Sequence, residues 1–288
     1  MLYYNITVKA LIRLSFCWLL SVSCMSAADT STKPLVVTSI KPLAIIAKSA
    51  LQDRAQVEYL ISSAQSPHDT AIKLSDLKKL AKADLVLWVG PSFEVRAAKQ
   101  LQSLPKAKLI TALEALDLKH SDSPTDSYHH FDIDPHIWLS PTQANRIAGL
   151  LLQRLGLPVR EILTRRQKEA VETLLAPVKG LNYLSHHDAI DYFVDEFKLK
   201  PALAIRNSMG ERRGAKTQYD LRVKAQQLGI HCVFVEPQHG YKDALAMATD
   251  LSVPLKPLDL QALSEQGELI SYESYILSIA RQFSSCFE

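Results

Sequence analysis

The sequence predicts an α/β fold of two lobes, each built on a parallel sheet, joined by one long helix. Short apolar runs such as residues 34–40 and 84–90 alternate with helix-like runs, which is typical of βαβ units. The alternation pauses in the middle of the chain, where the segment 158–180 is charged and helix-like. We therefore predict an N-terminal lobe at 29–157, a connector helix at 158–180 and a C-terminal lobe at 181–288.

The first 28 residues have the layout of a secretory signal peptide. Lys9 and Arg13 precede an apolar run, and Ser26-Ala27-Ala28 offers a cleavage site of small residues. The apolar run is too short for a good transmembrane helix, and no later stretch is apolar enough to span a bilayer. We predict export with cleavage after Ala28. Lipid anchoring through Cys24 is the alternative.

The charge balance bears on the partners of the protein, and the cysteine content bears on its disulfide bonding. The chain has 33 basic and 30 acidic residues, and loss of Lys9 and Arg13 with the leader makes these counts nearly equal. This balance argues against nucleic acid as a partner. Beyond the leader, Cys232 and Cys286 form an even pair in an exported chain. We predict a disulfide, with two buried free thiols as the alternative.

The first half of the chain contains four predicted strands and four predicted helices. Ser140 and Pro141 mark the start of the last of these helices as N-cap and first helical residue. The polar segment HSDSPTDSYHHFDID before it is predicted to be a loop. In chain order the strands are PLVVTSI, VEYLIS, DLVLWVG and KLITA, and the helices are KPLAIIAKSALQ, KLSDLKKLAKA, FEVRAAKQLQSL and SPTQANRIAGLLLQRLG.

The charged segment PVREILTRRQKEAVETLLAPVKG suits a solvent-exposed connector helix. The alternation of strands and helices resumes after it, and Gly229 is placed to end one of the helices. In chain order the predicted strands are NYLSHHDA, ALAIRN, HCVFVEP and PLKPLDL, and the predicted helices are IDYFVDEFKL, TQYDLRVKAQQLG, DALAMATDL and SYESYILSIARQFSSCFE.

Three of the nine histidines stand where a predicted strand ends or a helix is about to begin: His68, His136 and His187. Ligands of open α/β folds bind beyond the carboxyl ends of the strands, so all three could point into the cleft between the lobes. Three imidazoles and one oxygen make a tetrahedral zinc site. The neighbouring carboxylates that could hold the imidazoles are Asp69, Asp134 and Asp188.

The positions of these histidines do not by themselves establish a metal site. They are far apart in sequence, and a single histidine beside a proline is usually a surface or loop residue. A secreted zinc-dependent hydrolase also fits three histidines and an open coordination place. No HExxH motif or other recognisable general base lies beside them to support that alternative.

Several stretches resemble signatures of bacterial ABC-transporter receptors for zinc and manganese. SPHDTAIKLSDLKKLAKADLVLWVG is similar to the first signature, DPHIWLSPTQANRIAGLL to the second and LAPVKGLNYLSHHDAIDYF to the third. CVFVEPQ and PLDL resemble the rest of the C-terminal lobe. The similarity covers nearly the whole mature chain and is greatest to the ZnuA-like zinc receptors of the cluster A-I substrate-binding proteins. It implies two (β/α) lobes bridged by one long helix, with metal in the interlobe cleft.

By this resemblance His68, His136 and His187 match the three histidine ligands of the family. Histidine at the third position is typical of zinc receptors, whereas manganese receptors carry glutamate there. His186 should point to the opposite face of its strand. Asp259 matches an aspartate ligand of manganese-type members and is our candidate fourth ligand. The alternatives are water or a nearby carboxylate in the fourth place, with Asp259 only holding a neighbouring loop.

Other residues near the predicted site have accessory interpretations. Glu236 could accept a hydrogen bond from a ligand, or be a buried strand-end glutamate. Trp138 is expected to shield the site. The pairing of Cys232 with Cys286 resembles a disulfide of zinc receptors. The loop histidines could bind zinc weakly, or belong to a plain solvated loop: His120, His129 and His130.

The resemblance implies a receptor, not an enzyme. We predict a monomeric periplasmic protein that captures Zn²⁺ and presents it to an inner-membrane ABC permease. The alternatives are the secreted hydrolase and a manganese receptor or adhesin-like protein on the same fold.

Overall fold

The computed structural model describes residues 32–118, 134–238, 240–263 and 269–288. Two sheets of four parallel strands each organise these residues, which confirms the predicted fold class. The strands of the first sheet are β1 (Leu35–Ile40), β2 (Gln56–Ile61), β3 (Leu85–Trp88) and β4 (Leu109–Thr111). Their spatial order is β2-β1-β3-β4. The two central strands, β1 and β3, are almost entirely buried, which explains their continuous apolar runs.

The second sheet has the corresponding order β6-β5-β7-β8. Its strands are β5 (Tyr183–His187), β6 (Leu203–Arg206), β7 (Cys232–Val235) and β8 (Leu255–Pro257). In each sheet the second strand in chain order lies on one side of the first strand, and the third and fourth strands lie on the other side. The strand order therefore reverses after the second strand. Such a reversal creates a crevice at the carboxyl ends of the strands, where side chains from neighbouring connections can meet.

Ten α-helices lie among the described residues. The first lobe has α1 (Lys41–Leu51), α2 (Leu74–Lys82), α3 (Ala98–Gln102), α4 (Ala112–Ala115) and α5 (Pro141–Arg154). The connector is α6 (Arg165–Leu175), and the remaining helices are α7 (Asp191–Phe197), α8 (Ala215–Leu228), α9 (Lys242–Leu251) and α10 (Tyr272–Ser284). As predicted, Ser140 caps α5, and Gly229 ends α8 in the left-handed region at φ 62°.

The closing helix α10 joins the two lobes. It packs against the connector α6 and also against α1 of the first lobe. Tyr272 donates its backbone N–H to Ser49 and its hydroxyl to the carbonyl of Trp138, both in the first lobe. One continuous apolar core includes residues of both lobes, and a smaller cluster lies under α8 and α9.

The connector helix is shorter than the predicted 158–180. It begins at Arg165, because Thr164 and Gln167 form a capping box there. The residues before it are held out of helical geometry by Asn145, whose side-chain oxygen accepts the backbone N–H groups of Ile162 and Leu163. The helix tightens into a 3-10 turn at Ala176–Val178. The exact lobe boundaries, at 157 and 181, stay predictions.

The predicted helix FEVRAAKQLQSL is also too long. Only Ala98–Gln102 is α-helical, and the preceding residues form turns. The cause is Glu94, whose carboxylate folds back to accept the backbone N–H groups of Val89 and Gly90. The pairing of Cys232 with Cys286 is confirmed as a disulfide. The predicted leader 1–28, including Cys24, lies outside the described residues.

Candidate metal centre

Three histidines from distant parts of the chain meet at the carboxyl ends of the strands. His68 follows β2, His136 precedes the 3-10 turn Ile137–Leu139 that leads into α5, and His187 is the last residue of β5. All three are at most 4% exposed. One ring nitrogen of each lies within 4.8 Å of the corresponding nitrogens of the other two. The structure therefore brings together the three residues that the sequence singled out.

The separation of two of these nitrogens fits a tetrahedral metal ion. The Nε2 atoms of His136 and His187 are 3.3 Å apart. Two nitrogens that each lie about 2.0–2.1 Å from one tetrahedral zinc ion are separated by about 3.3–3.4 Å, which follows from the bond length and the tetrahedral angle. The ring centroids of His68 lie 5.9 Å from His136 and 6.4 Å from His187. The donor set and its spacing thus suit a small divalent cation.

A carboxylate fixes the orientation of His136. Asp134 Oδ1 lies 2.7 Å from the Nδ1 atom of His136 and also accepts its backbone N–H at 3.0 Å. An imidazole that donates Nδ1–H to a carboxylate keeps its lone pair on Nε2, the atom that faces His187. The structure thus places Asp134 against His136, and its support of a bound metal stays a prediction.

His187 is held in the same way by Glu236. Its Nδ1 atom makes a close contact with Glu236 Oε1, and both side chains are buried. Burial alone would lower the pKa of His187, but the charge and hydrogen bond of Glu236 outweigh burial and raise it. Gln238 donates to the other oxygen of Glu236 at 2.8 Å. Glu236 thus contacts a candidate ligand directly and is not merely a strand-end glutamate.

Two aromatic rings wall the site. Trp138 lies 5.2 Å from His136 between ring centroids, and its Nε1–H donates to the carbonyl of Leu260. Phe93 lies 4.6 Å from His68 and 5.2 Å from Trp138. These rings lower the local polarity and strengthen electrostatic interactions with a bound cation. The shielding position of Trp138 was expected, whereas Phe93 was missed, because nothing in GPSFEV distinguishes it from a core residue.

Glu94, next to Phe93, is a second residue that the sequence analysis missed. It is completely buried and accepts hydrogen bonds from Ser39 and from the backbone of Val89 and Gly90. Burial raises its pKa to about 7, against the opposing effect of these hydrogen bonds. The contacts fix the turn that places Phe93 against His68. The only hint in the sequence was a single glutamate shortly after a predicted buried strand.

The candidate fourth ligand, Asp259, does not join the group of three histidines among the described residues. Its Oδ1 atom accepts the backbone N–H groups of Gln261 and Leu263, which is the loop-holding role considered as the alternative. Its direct coordination stays a prediction.

The other carboxylates proposed to support the histidines differ in position. Asp69 is exposed, whereas the adjacent His68 is buried. Asp188 forms an ion pair with Arg213, with 3.8 Å between its Oδ2 atom and the Nη2 atom of the arginine. Their roles at the metal stay predictions.

His186 points away from the histidine group, as strand alternation predicted, and its Nε2 atom lies 3.2 Å from Asp243. The loop histidines lie outside the described residues: His120, His129 and His130.

Comparison with known proteins identifies the family. A family model described as the zinc-uptake complex component A, periplasmic, matches residues 36–156 and 161–286. The chain belongs to this family. The high-affinity zinc uptake system protein ZnuA of Yersinia pestis is 30% identical over 292 residues, which cover 88% of the chain and 91% of that protein. Membership in a family of zinc-uptake components excludes the secreted hydrolase.

Solved structures of periplasmic zinc-binding proteins have the same fold. The periplasmic zinc-binding protein TroA from Treponema pallidum superposes with a TM-score of 0.75 at 17% identity and covers 89% of this chain and 99% of its own. A crystal structure of ZnuA superposes with a TM-score of 0.68 at 20% identity, covering 89% and 100%. In the described part of this zinc-uptake component, no helix has the length and apolar character needed to cross a membrane.

Proposed function

We propose that this zinc-uptake component is the periplasmic receptor that binds Zn²⁺ tightly and delivers it to an inner-membrane ABC permease. One observation carries the proposal: three buried imidazoles from both lobes converge at a spacing that suits one tetrahedral ion. The role is binding and delivery, since the family consists of uptake components.

The ligand assignment follows from the contacts. His68, His136 and His187 supply the nitrogen donors, while Asp134 and Glu236 orient two of the rings. Partners of this kind fix the tautomer of a ligand histidine and raise its basicity. Water or Asp259 completes the fourth place.

The donor set supports zinc as the cargo in preference to manganese. Imidazole nitrogen suits Zn²⁺, whereas Mn²⁺ prefers carboxylate, carbonyl and water oxygens. A set of three imidazole nitrogens therefore favours zinc. The manganese alternative would require oxygen donors in place of His187 or in addition to it.

Location and partner complete the proposal. The predicted leader directs the chain to the periplasm, where a receptor meets the outer face of its permease. One relative, AdcA of Streptococcus pneumoniae, is a zinc-binding lipoprotein, so a lipid anchor through Cys24 is the alternative arrangement. A single chain contains all three histidines, which is consistent with the predicted monomer.

The proposal is tested by metal titration of the chelator-stripped protein. Calorimetry should reveal one tight site for Zn²⁺ and much weaker binding of Mn²⁺. Tighter binding of Mn²⁺ would overturn the zinc assignment, and the absence of any tight site would overturn the receptor function. In cells, deletion of the protein should impair growth only in zinc-depleted medium, and added zinc should restore it.

A further inference from the structure

A glutamate outside the histidine group, with a largely buried side chain, links three elements at the junction of the lobes. Glu196 lies on α7 in the second lobe, and its side chain is 8% exposed. Its carboxylate accepts hydrogen bonds from the hydroxyl groups of Ser140 and Thr142, the latter at 2.8 Å. Both donors stand at the start of α5 in the first lobe. A carboxylate at a helix N-terminus is favourably placed for the helix dipole.

The connector helix contributes the third contact. Lys168 on α6 donates to Glu196 Oε1, so one carboxylate joins both lobes and the helix between them. Burial by itself would raise the pKa of Glu196, but the hydrogen bonds from Lys168, Ser140 and Thr142 outweigh it and lower the pKa. The charged carboxylate is therefore the form that the surrounding groups stabilise.

The contact of Glu196 is directly connected to the histidine group through the chain. His136 lies four residues before Ser140, and the turn Ile137–Leu139 between them contacts α7. His187 ends β5, and the same chain continues into α7. The segments 136–142 and 187–196 therefore run beside each other from the two lobes. At one end the imidazoles of His136 and His187 meet, and at the other end Ser140 meets Glu196.

We propose that Glu196 is a positioning residue for the metal centre, because it fixes the register of these two segments and thereby the separation of the His136 and His187 nitrogens. This inference rests on the proposed zinc-binding function. Among the described residues, the side-chain partners of Glu196 are Ser140, Thr142 and Lys168, and none of them is a proposed ligand. It acts by holding the start of α5 against α7, so that two donors from different lobes stay at the spacing of a tetrahedral edge.

A purely structural role for Glu196 makes a different prediction. If Glu196 only stabilised the fold, its loss would lower the melting temperature of the metal-free chain but leave zinc affinity and site geometry unchanged. A positioning role also changes the site itself. Cobalt(II) distinguishes the two, because its visible absorption reports the coordination geometry of the ion that replaces zinc.

The experiment compares Glu196→Ala and Glu196→Gln with a matched control. The two hydroxyl groups donate to different oxygens of Glu196. Glutamine keeps one oxygen that can accept from one hydroxyl group, and its amide N–H can donate to the other hydroxyl oxygen, whereas alanine keeps neither contact. The control is Glu172→Gln. Glu172 is the other carboxylate near Lys168, at 4.0 Å on the same helix, and its side chain is 40% exposed. For each purified, chelator-stripped protein, zinc affinity, the cobalt spectrum and the melting temperature of the metal-free chain are measured.

We expect Glu196→Ala to weaken zinc binding by about tenfold, the low end of what removal of groups that orient metal ligands costs. Its cobalt spectrum should change, and Glu196→Gln should restore most of both properties. Glu172→Gln should match the unmodified chain. Unchanged affinity and spectrum in Glu196→Ala and Glu196→Gln, beside tight zinc binding by the unmodified chain, would overturn this inference alone. Lack of tight zinc binding by the unmodified chain would overturn the proposed function as well.

Discussion

The Nε2 atoms of His136 and His187 lie 3.3 Å apart, although the residues belong to different lobes and are separated by 51 positions in sequence. Each ring is held from behind by a carboxylate, Asp134 for His136 and Glu236 for His187. If both neutral rings donate Nδ1–H to these carboxylates, the two Nε2 atoms direct lone pairs at each other and share no hydrogen bond. A cation bound between the lobes would accept both Nε2 lone pairs and so accounts for their close approach.

Removal of a nitrogen donor should abolish tight zinc binding. We expect His136→Ala and His187→Ala each to weaken zinc affinity by more than about 100-fold, beyond what loss of a supporting partner costs. Competition with a chelator of known affinity measures this. The matched control is His231→Ala. His231 is exposed and directly precedes β7, at the end of that strand far from the histidine group. Affinity unchanged in both ligand variants would place the zinc site elsewhere.

Zinc affinity should fall as the pH is lowered, because protons compete with the metal for imidazole. The pKa of His187 is raised above its ordinary value of 6.5 by Glu236, so the loss should begin above that pH in the unmodified chain. Glu236→Gln removes the charge, lowers the pKa of His187 and moves the onset of the loss to lower pH. It should also weaken binding at high pH by about tenfold, since the ring is held less firmly.

The measurement for this pH effect is the zinc dissociation constant across a pH series. Glu211→Gln, which alters an exposed carboxylate of the same lobe, is the control and should follow the unmodified chain. The same onset in Glu236→Gln and the unmodified chain would show that Glu236 does not set the pKa of His187.

Asp191 should make the metal-free fold less stable as the pH rises. Burial raises its pKa from 3.8 to about 7, with smaller contributions from the charges of Asp188, Asp134 and Asp195. The folded state therefore holds a proton that the unfolded chain has lost. This contribution to stability is complete below about pH 3.8 and is lost as the pH rises through about 7.

Asp191→Asn should remove this pH dependence, so its stability relative to the unmodified chain should improve between pH 5 and pH 8. Urea unfolding of the metal-free proteins measures the difference. Asp220→Asn, which alters an exposed carboxylate on α8 that does not contribute to the pKa of Asp191, is the control. If the unfolding midpoints of Asp191→Asn and the unmodified chain changed in parallel, Asp191 would not carry the extra proton.

Loss of the disulfide should lower the free energy of unfolding but leave zinc binding at the histidine group intact. Cys232 and Cys286 are 54 positions apart, and closing a loop of that length stabilises by about 4 kcal/mol in the chain-entropy model. Cys232 starts β7, at the end of the strand opposite to Glu236. Replacement of both cysteines by alanine should therefore lower the denaturant midpoint but leave zinc affinity within about twofold, a change below the cost of losing a ligand's hydrogen-bond partner. An unchanged midpoint would contradict the stabilising role.

Much of the fold was predictable because its signals are local. Parallel strands buried on both faces require apolar runs, and the caps at Ser140 and Gly229 depend on single residue types. The predictions failed where a distant side chain decided the local structure. Asn145 delays the start of the connector helix, and Glu94 keeps the residues after β3 out of a helix.

The sequence by itself determined the α/β class, the three histidines at the ends of elements and the cysteine pair, because backbone periodicity and residue type are properties of short segments. The tertiary structure decided which groups surround those histidines. Phe93, Glu236 and Glu196 act through contacts with residues tens of positions away, and no periodic pattern encodes such pairs. The structure also placed the Oδ1 atom of Asp259 against the backbone N–H groups of Gln261 and Leu263, since the direction of a side chain after a strand depends on the hydrogen bonds available around it.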